Sequence, residues 1–223
     1  MKVVVLRFPG TNCEFDTQYA FEKLGADVEI IWHNEDKLPV DTDLVVVPGG
    51  FSYGDYLRSG SIARFSPVMK AVEKYANSGG FVLGICNGFQ ILTEIGLLEG
   101  ALKRNNNLHF ISKKQTIRVE NSDNKFLSHC KDGDILNIPI AHADGNYYID
   151  DDGYKSLEEN NQILLRYCND NGERVVVNGS VTSIAGICNK NKNVFGLMPH
   201  PERAIEDILG SIDGVKMLEG FSN

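Results

Sequence analysis

The stretch Gly80-Gly-Phe-Val-Leu-Gly-Ile-Cys-Asn-Gly-Phe-Gln90 constrains this chain more than any other. Phe81–Ile85 is a short apolar run of buried-strand type. Phe89, Ile91, Leu92 and Ile95 then recur at helical spacing, and Gly96 suits the C-terminal end of that helix. Cys86 is therefore expected on a sharp strand-to-helix turn, with Gly84 and Gly88 two residues to either side. This is the G-x-nucleophile-x-G pattern with Cys in place of Ser. The glycines permit a tight backbone, the turn lifts the sulfur to the end of a sheet, and the helix N-terminus beneath it favours negative charge there. Taken alone, a Cys at a strand end is as readily a small buried hydrophobe.

The elements around this turn set the fold class. Val3–Leu6, Val28–Trp32 and Asp43–Val47 read as strands, Glu14–Leu24 as a helix closed by Gly25, and Ile62–Ala76 as a long helix broken by Gly79-Gly80. Strands alternating with helices predict an α/β fold: a mostly parallel central sheet with helices on both faces. Ligands in such sheets bind beyond the carboxyl ends of the strands, where Gly49-Gly50 and Cys86 both fall. After Gly100 the pattern shifts to shorter strands over 109–119, 163–167, 175–177, 184–188 and 194–198, a smaller peripheral β region, with terminal helices over 203–209 and 215–218. Asp150-Asp-Asp152 reads as an exposed acidic loop rather than a metal site. No linker or repeat divides the chain, so 1–223 is expected to be a single domain.

Charge and cysteine usage exclude several functions. The net charge of −8 argues against nucleic-acid binding. The five cysteines are widely spaced and form no C-x-x-C, which argues against a disulfide framework and against a zinc site, so no metal is expected. No apolar run is long enough to span a membrane, and Met1 leads straight into a strand. A cytoplasmic protein with reduced thiols is the expectation.

A thiol nucleophile needs a base, and the base an orienting group. In Met198-Pro-His-Pro-Glu202 the prolines bias the backbone toward extension, so residues two apart point the same way and Glu202 can reach His200. A surface His before a helix is the plain alternative. His142, in Ala-His-Ala-Asp-Gly145, is the second candidate base. The backbone N–H of Gly50 or Phe51, after the Pro48-Gly-Gly turn, together with that of Asn87 would form an oxyanion hole. Cys13 and Asp55 are placed conspicuously, without an assignable role.

Pro-Gly-Gly, then Gly-x-Cys-x-Gly-x-Gln, then His-Pro-Glu resembles the class I (triad) glutamine amidotransferases. More narrowly, Arg7–Asn12, Pro48–Arg58, Gly84–Gln90, Asn178–Ser180 with Ile184–Ile187, and Gly196–Arg203 resemble the glutaminase subunits of phosphoribosylformylglycinamidine synthase over essentially the whole chain. The chain departs from that pattern at Ala143-Asp-Gly145, where the family has Gly-Glu-Gly. The resemblance implies a Cys86–His200–Glu202 triad that releases ammonia from glutamine, with Gln90 and His142 contacting the substrate. It also implies a partner synthetase that binds formylglycinamide ribonucleotide, a small third subunit, and no cofactor in this chain. ATP and magnesium would serve the partner, since no G-x-x-x-x-G-K-[ST] loop occurs here. The alternative is the same glutaminase serving a different amidating synthetase. A peptidase of related fold places His directly after its Cys, and here Asn87 stands there; a non-catalytic regulatory module would not need the intact triad.

Overall fold

The computed structural model describes residues 1–222. In chain order the elements are β1 Lys2–Arg7, α1 Glu14–Lys23, β2 Asp27–Trp32, β3 Leu44–Val47, α2 Pro67–Asn77, β4 Phe81–Ile85, α3 Asn87–Glu94, β5 Ala101–Lys103, β6 Ile111–Val119, β7 Ile135–His142, β8 Asn146–Tyr148, α4 Asp151–Glu159, β9 Ile163–Tyr167, β10 Ile184–Cys188, β11 Val194–Leu197 and α5 Asp213–Leu218. Nine strands form one sheet in the order β2-β1-β3-β4-β11-β10-β9-β6-β7, and β5 and β8 form a separate ribbon. From β2 to β11 every pairing is parallel; from β11 to β7 every pairing is antiparallel. The sheet is mixed and its strands are flanked by helices: the alternation of elements implies the parallel half, and β6, β7, β9 and β10, from the shorter strands after Gly100, build the antiparallel half.

The parallel half carries the core. β1, β3 and β4 are apolar runs buried on both faces, as strands covered by helices must be. β1 passes to β2 in one direction along the sheet, and β3 passes to β4 in the other. Right-handed crossovers in opposite directions put α1 and α2 on opposite faces. The antiparallel half bends round, because β7, its far edge, reaches back to the parallel half: His200 N–H donates to Pro139 O at 2.8 Å.

Several boundaries differ from expectation. The helix expected over Ile62–Ala76 begins only at Pro67; residues 63–65 form a separate 3-10 turn. Pro67 holds Ser66 extended (φ −63, ψ 142) and then starts α2. Residues 175–177 form no strand; beyond β9 there is only an isolated bridge between Cys168 and Arg174. Residues 203–209 are not a helix but two 3-10 turns, 201–203 and 207–209, separated by extended Glu206, which bridges to Ser211. Asp150–Asp152 is not a loop: Asp150 caps α4 by accepting from Gly153 N–H at 2.8 Å, and Asp151 and Asp152 fill the first turn, where the helix dipole favours acids. β7 escapes the sequence reading because Pro139 lies inside it, and an edge strand tolerates a proline.

Candidate active site

Cys86 sits between β4 and α3 with φ 52 and ψ −104, a conformation rare for a residue with a side chain. Two contacts hold the turn: Cys86 N–H donates to Leu197 O at 2.8 Å, and Gln90 N–H to Cys86 O at 3.2 Å. α3 lies so close to the sheet that only glycine fits at two positions. A Cβ on Gly88 would lie 1.8 Å from Val47 O, and one on Gly84 would lie 2.8 Å from the Gly88 carbonyl. The glycines flanking Cys86 are therefore set by close approach of helix and strand.

Beyond the carboxyl ends of β1, β3, β4 and β11, four loops converge. The loops after β1 and β3 are laced together: Thr11 bridges Gly50, Cys13 N–H donates to Gly49 O at 3.3 Å, and Phe51 N–H to Gly10 O at 2.9 Å. With β11 they wall a cleft of about 160 Å³ over Cys86, lined also by Asn12, Phe110, Ala141 and Arg203. A hollow of about 530 Å³ between Asp36–Val40 and α2 is larger, but neither a cysteine nor a histidine lines it, whereas the smaller cleft pairs Cys86 with His200, so chemistry favours the Cys86 cleft.

His200 is brought to Cys86 by β11, the parallel neighbour of β4. Its Nδ1 lies 2.6 Å from Glu202 Oε1, and both residues are 2% exposed. Its Nε2 has no partner among the described residues. Burial opposes charge on this imidazole, but Glu202, Cys86 and Cys13 outweigh it and hold the pKa well above its ordinary value. His200 and Glu202 thus pair as the His-Pro-Glu spacing implies, and β11 carries that pair to the end of the sheet where Cys86 lies.

Phe51 and Gly50, the two alternatives for the loop's donor to an oxyanion, are distinguished by their bonding. The Phe51 amide is already given to Gly10 O, whereas neither Gly50 N–H nor Asn87 N–H has an acceptor among the described residues. The Asn87 side chain accepts from Ser52 N–H at 3.1 Å and donates to Gln90 Oε1 at 2.8 Å. Gln90 Nε2 in turn donates to Asp144 O at 2.7 Å. Both ends of Gln90 are thereby engaged, and it does not line the cleft. His142 is likewise turned away: Nε2 lies 3.1 Å from Asn178 Nδ2, and Nδ1 has no partner among the described residues. Burial and the charge of His200 push its pKa down to about 4, so it is neutral at physiological pH. Sequence reasoning missed Asn12, Phe110, Ala141 and Arg203; only Asn12 and Arg203 fall within motifs, and nothing local marks the other two.

Three comparisons relate the chain to known proteins. A family model for the CobB/CobQ-like glutamine amidotransferase domain matches residues 1–217. Proteins described as phosphoribosylformylglycinamidine synthase subunit PurQ are similar over nearly their whole length. The Sulfurimonas denitrificans protein is 68% identical over 221 residues, covering 99% of each chain, and the Wolinella succinogenes protein is 62% identical over 222 residues, covering 100% of each. A chain of the PurLQS structure from Thermotoga maritima superposes with a TM-score of 0.89 at 42% identity, covering 100% of this chain and 97% of that one. This chain belongs to the CobB/CobQ-like glutamine amidotransferase family, within its group of phosphoribosylformylglycinamidine synthase PurQ subunits.

Proposed function

We propose that residues 1–223 act as one unit, the cytoplasmic glutaminase subunit of a phosphoribosylformylglycinamidine synthase, with Cys86 as nucleophile, His200 as acid and base, and Glu202 as its orienting carboxylate. The observation that carries the reading is the strained Cys86 beside a buried imidazole whose Nδ1 is held by Glu202 and whose Nε2 is free for substrate. Glutamine enters the cleft with its side-chain amide over Cys86. The sulfur, as thiolate, attacks the amide carbon, and the carbonyl oxygen becomes an oxyanion held by Gly50 N–H and Asn87 N–H. Charged His200 gives its proton to the amide nitrogen, the C–N bond breaks and ammonia leaves. The resulting thioester is attacked by water, whose proton goes to the now neutral His200. Collapse of this second tetrahedral adduct frees glutamate and returns the thiolate.

Gln90 and His142 support this centre from outside the cleft. Gln90 holds the Asn87 side chain, and with it Ser52 N–H in the loop that carries Gly50, so it positions the two oxyanion donors relative to one another. His142 packs against Gly145, where an added Cβ would meet its ring at 2.0 Å, and fixes the turn that presents Asp144 O to Gln90. The ATP- and magnesium-dependent amidation of formylglycinamide ribonucleotide belongs to the partner synthetase, assembled with a small third subunit. Reconstitution tests the reading: this chain, the synthetase and the small subunit, with ATP, magnesium and formylglycinamide ribonucleotide, and glutamine as sole nitrogen source. Amidine product must require this chain and vanish with Cys86→Ala. Product from ammonium but not from glutamine would reject the acceptor. Glutamine hydrolysis surviving Cys86→Ala would reject the nucleophile.

A further inference from the structure

Asn178-Gly-Ser180 carries part of the family resemblance but takes no part in the reaction above. Asn178 lies between β9 and β10, and Asn105 between β5 and β6; both side chains are buried against the turn of residues 142–145 that joins β7 to β8. Asn105 Nδ2 donates to His142 O at 2.9 Å, its backbone N–H to Ala143 O at 2.8 Å, and its Oδ1 accepts from Gly145 N–H at 3.0 Å. Asn178 Nδ2 donates to Gly145 O at 2.7 Å. The remaining carbonyl of the turn, Asp144 O, accepts from Gln90 Nε2 at 2.7 Å. The amide of Asn178 cannot be reversed: its Oδ1 faces the Ser180 N–H at 3.1 Å, which only donates, and its Nδ2 faces the Gly145 carbonyl, which only accepts. His142 Nε2, 3.1 Å from the same Nδ2, must then accept as well, so the neutral ring carries its proton on Nδ1.

We propose that Asn105 and Asn178 are positioning residues for glutamine hydrolysis: they clamp the turn 142–145 so that Asp144 O grips Gln90, and through Gln90 they set the two oxyanion donors against one another. The inference rests on the proposed reaction. The path is continuous. Asn178 holds Gly145 O, the neighbouring Asp144 O holds Gln90, Gln90 Oε1 accepts from Asn87 Nδ2, and Asn87 Oδ1 accepts from Ser52 N–H in the loop that carries Gly50. Without the clamp the carbonyls of His142, Ala143 and Gly145 lose their donors, and a buried acceptor left unmade drives the turn to rearrange. Asp144 O then leaves Gln90, and Asn87 is free to rotate away from Ser52. Ser59 Oγ still donates to Asp144 Oδ2 at 2.9 Å and limits the drift of the turn. The expected loss is therefore about tenfold in rate, short of the 10²–10³-fold typical of deleting an oxyanion donor outright. The clamp grips main-chain atoms of residues 142–145 and not the side chains of 143 and 144. Ala143 and Asp144 can thus stand where the family has Gly and Glu without loosening it.

A double-mutant cycle in the assembled synthase tests this, with glutamate release measured per folded molecule. Asn178→Ala and Gln90→Ala are each expected to lower kcat about tenfold with KM unchanged, because oxyanion donors act in the transition state. If Asn178 acts through Gln90, the double variant falls about tenfold, not about a hundredfold. Asn178→Asp has the same size but no Nδ2 donor, so it loses rate as Asn178→Ala does; filling the space does not suffice. Asn105→Ala is expected to behave like Asn178→Ala and to be equally silent once Gln90 is Ala. Independent, multiplying effects of Asn178→Ala and Gln90→Ala overturn the proposal, and so does wild-type kcat per folded molecule in Asn178→Asp. A rise in KM with kcat unchanged also overturns it, since that would mark a loss of ground-state substrate binding. Glutamate release that survives Cys86→Ala rejects the underlying reaction instead, so the two failures are told apart.

Discussion

Gly88→Ala probes whether close packing of α3 on the sheet sets the position of the nucleophile. The added Cβ would lie 1.8 Å from Val47 O and 2.6 Å from Val47 C, both backbone atoms of a strand buried on both faces. Helix and strand must part by about 1.2 Å to restore even a 3.0 Å contact. Overpacking of this kind costs about 1–3 kcal/mol. Cys86 and Asn87 ride on the same turn, so the proposed nucleophile and the proposed oxyanion donor move with the helix, and a displacement of about 1 Å costs on the order of 100-fold in rate. The control is Gly96→Ala at the other end of α3, with φ +76 and nothing within 4 Å of the added Cβ. Its left-handed backbone costs about 1–2 kcal/mol, without moving Cys86. Urea unfolding of both variants, with glutaminase activity measured per folded molecule in the assembled synthase, separates the two effects. Both lose stability, and only Gly88→Ala loses specific activity by about 100-fold. Wild-type activity per folded molecule in Gly88→Ala would refute the reasoning.

Glu202→Gln leaves the fold intact but removes the charge that holds His200 protonated, so kcat falls by about 10²- to 10⁴-fold, read by ammonia release. His142, with its pKa pushed down to about 4 against an ordinary 6.5, resists the proton that the unfolded chain accepts. Stability therefore falls as pH drops from about 6.5 to 4, by an amount on the order of 3 kcal/mol. Urea midpoints at pH 7 and 5 are expected to differ less in His142→Gln than in wild type, and equal differences would sink the account. Asp55 is raised to about 6 by burial and by Asp144, so its ionised form opposes folding at pH 7 and less so as pH falls toward 4. Asp55→Asn is expected to raise Tm at pH 7 and to do so less at pH 5, by calorimetry.

The candidate site was legible in the sequence where it rests on local backbone. The Cys86 turn is a strand, two glycines and a helix within sixteen residues, and the His200–Glu202 pair is fixed by two prolines. Both are short-range devices, and the structure places them as their spacing implies. Boundaries such as that at Pro67 were equally local, and the proline marks the start that the longer apolar periodicity obscured.

What the sequence alone determined, then, was the α/β class, the turn that carries Cys86 and the pairing of His200 with Glu202, because each follows from steric rules acting over a few residues. The tertiary structure alone decided which loop amide remains free for an oxyanion, since Phe51 N–H is taken by Gly10, forty-one residues earlier in the chain. It decided that β7, with Pro139 inside it, returns along the sheet's far edge to meet His200. It decided that Gln90 and His142 face the Asp144 turn rather than the cleft, and that Cys13 lies against a histidine from the other end of the chain. These contacts depend on strand order, which joins segments from 36 to 190 residues apart and leaves no periodicity or spacing in the sequence to read.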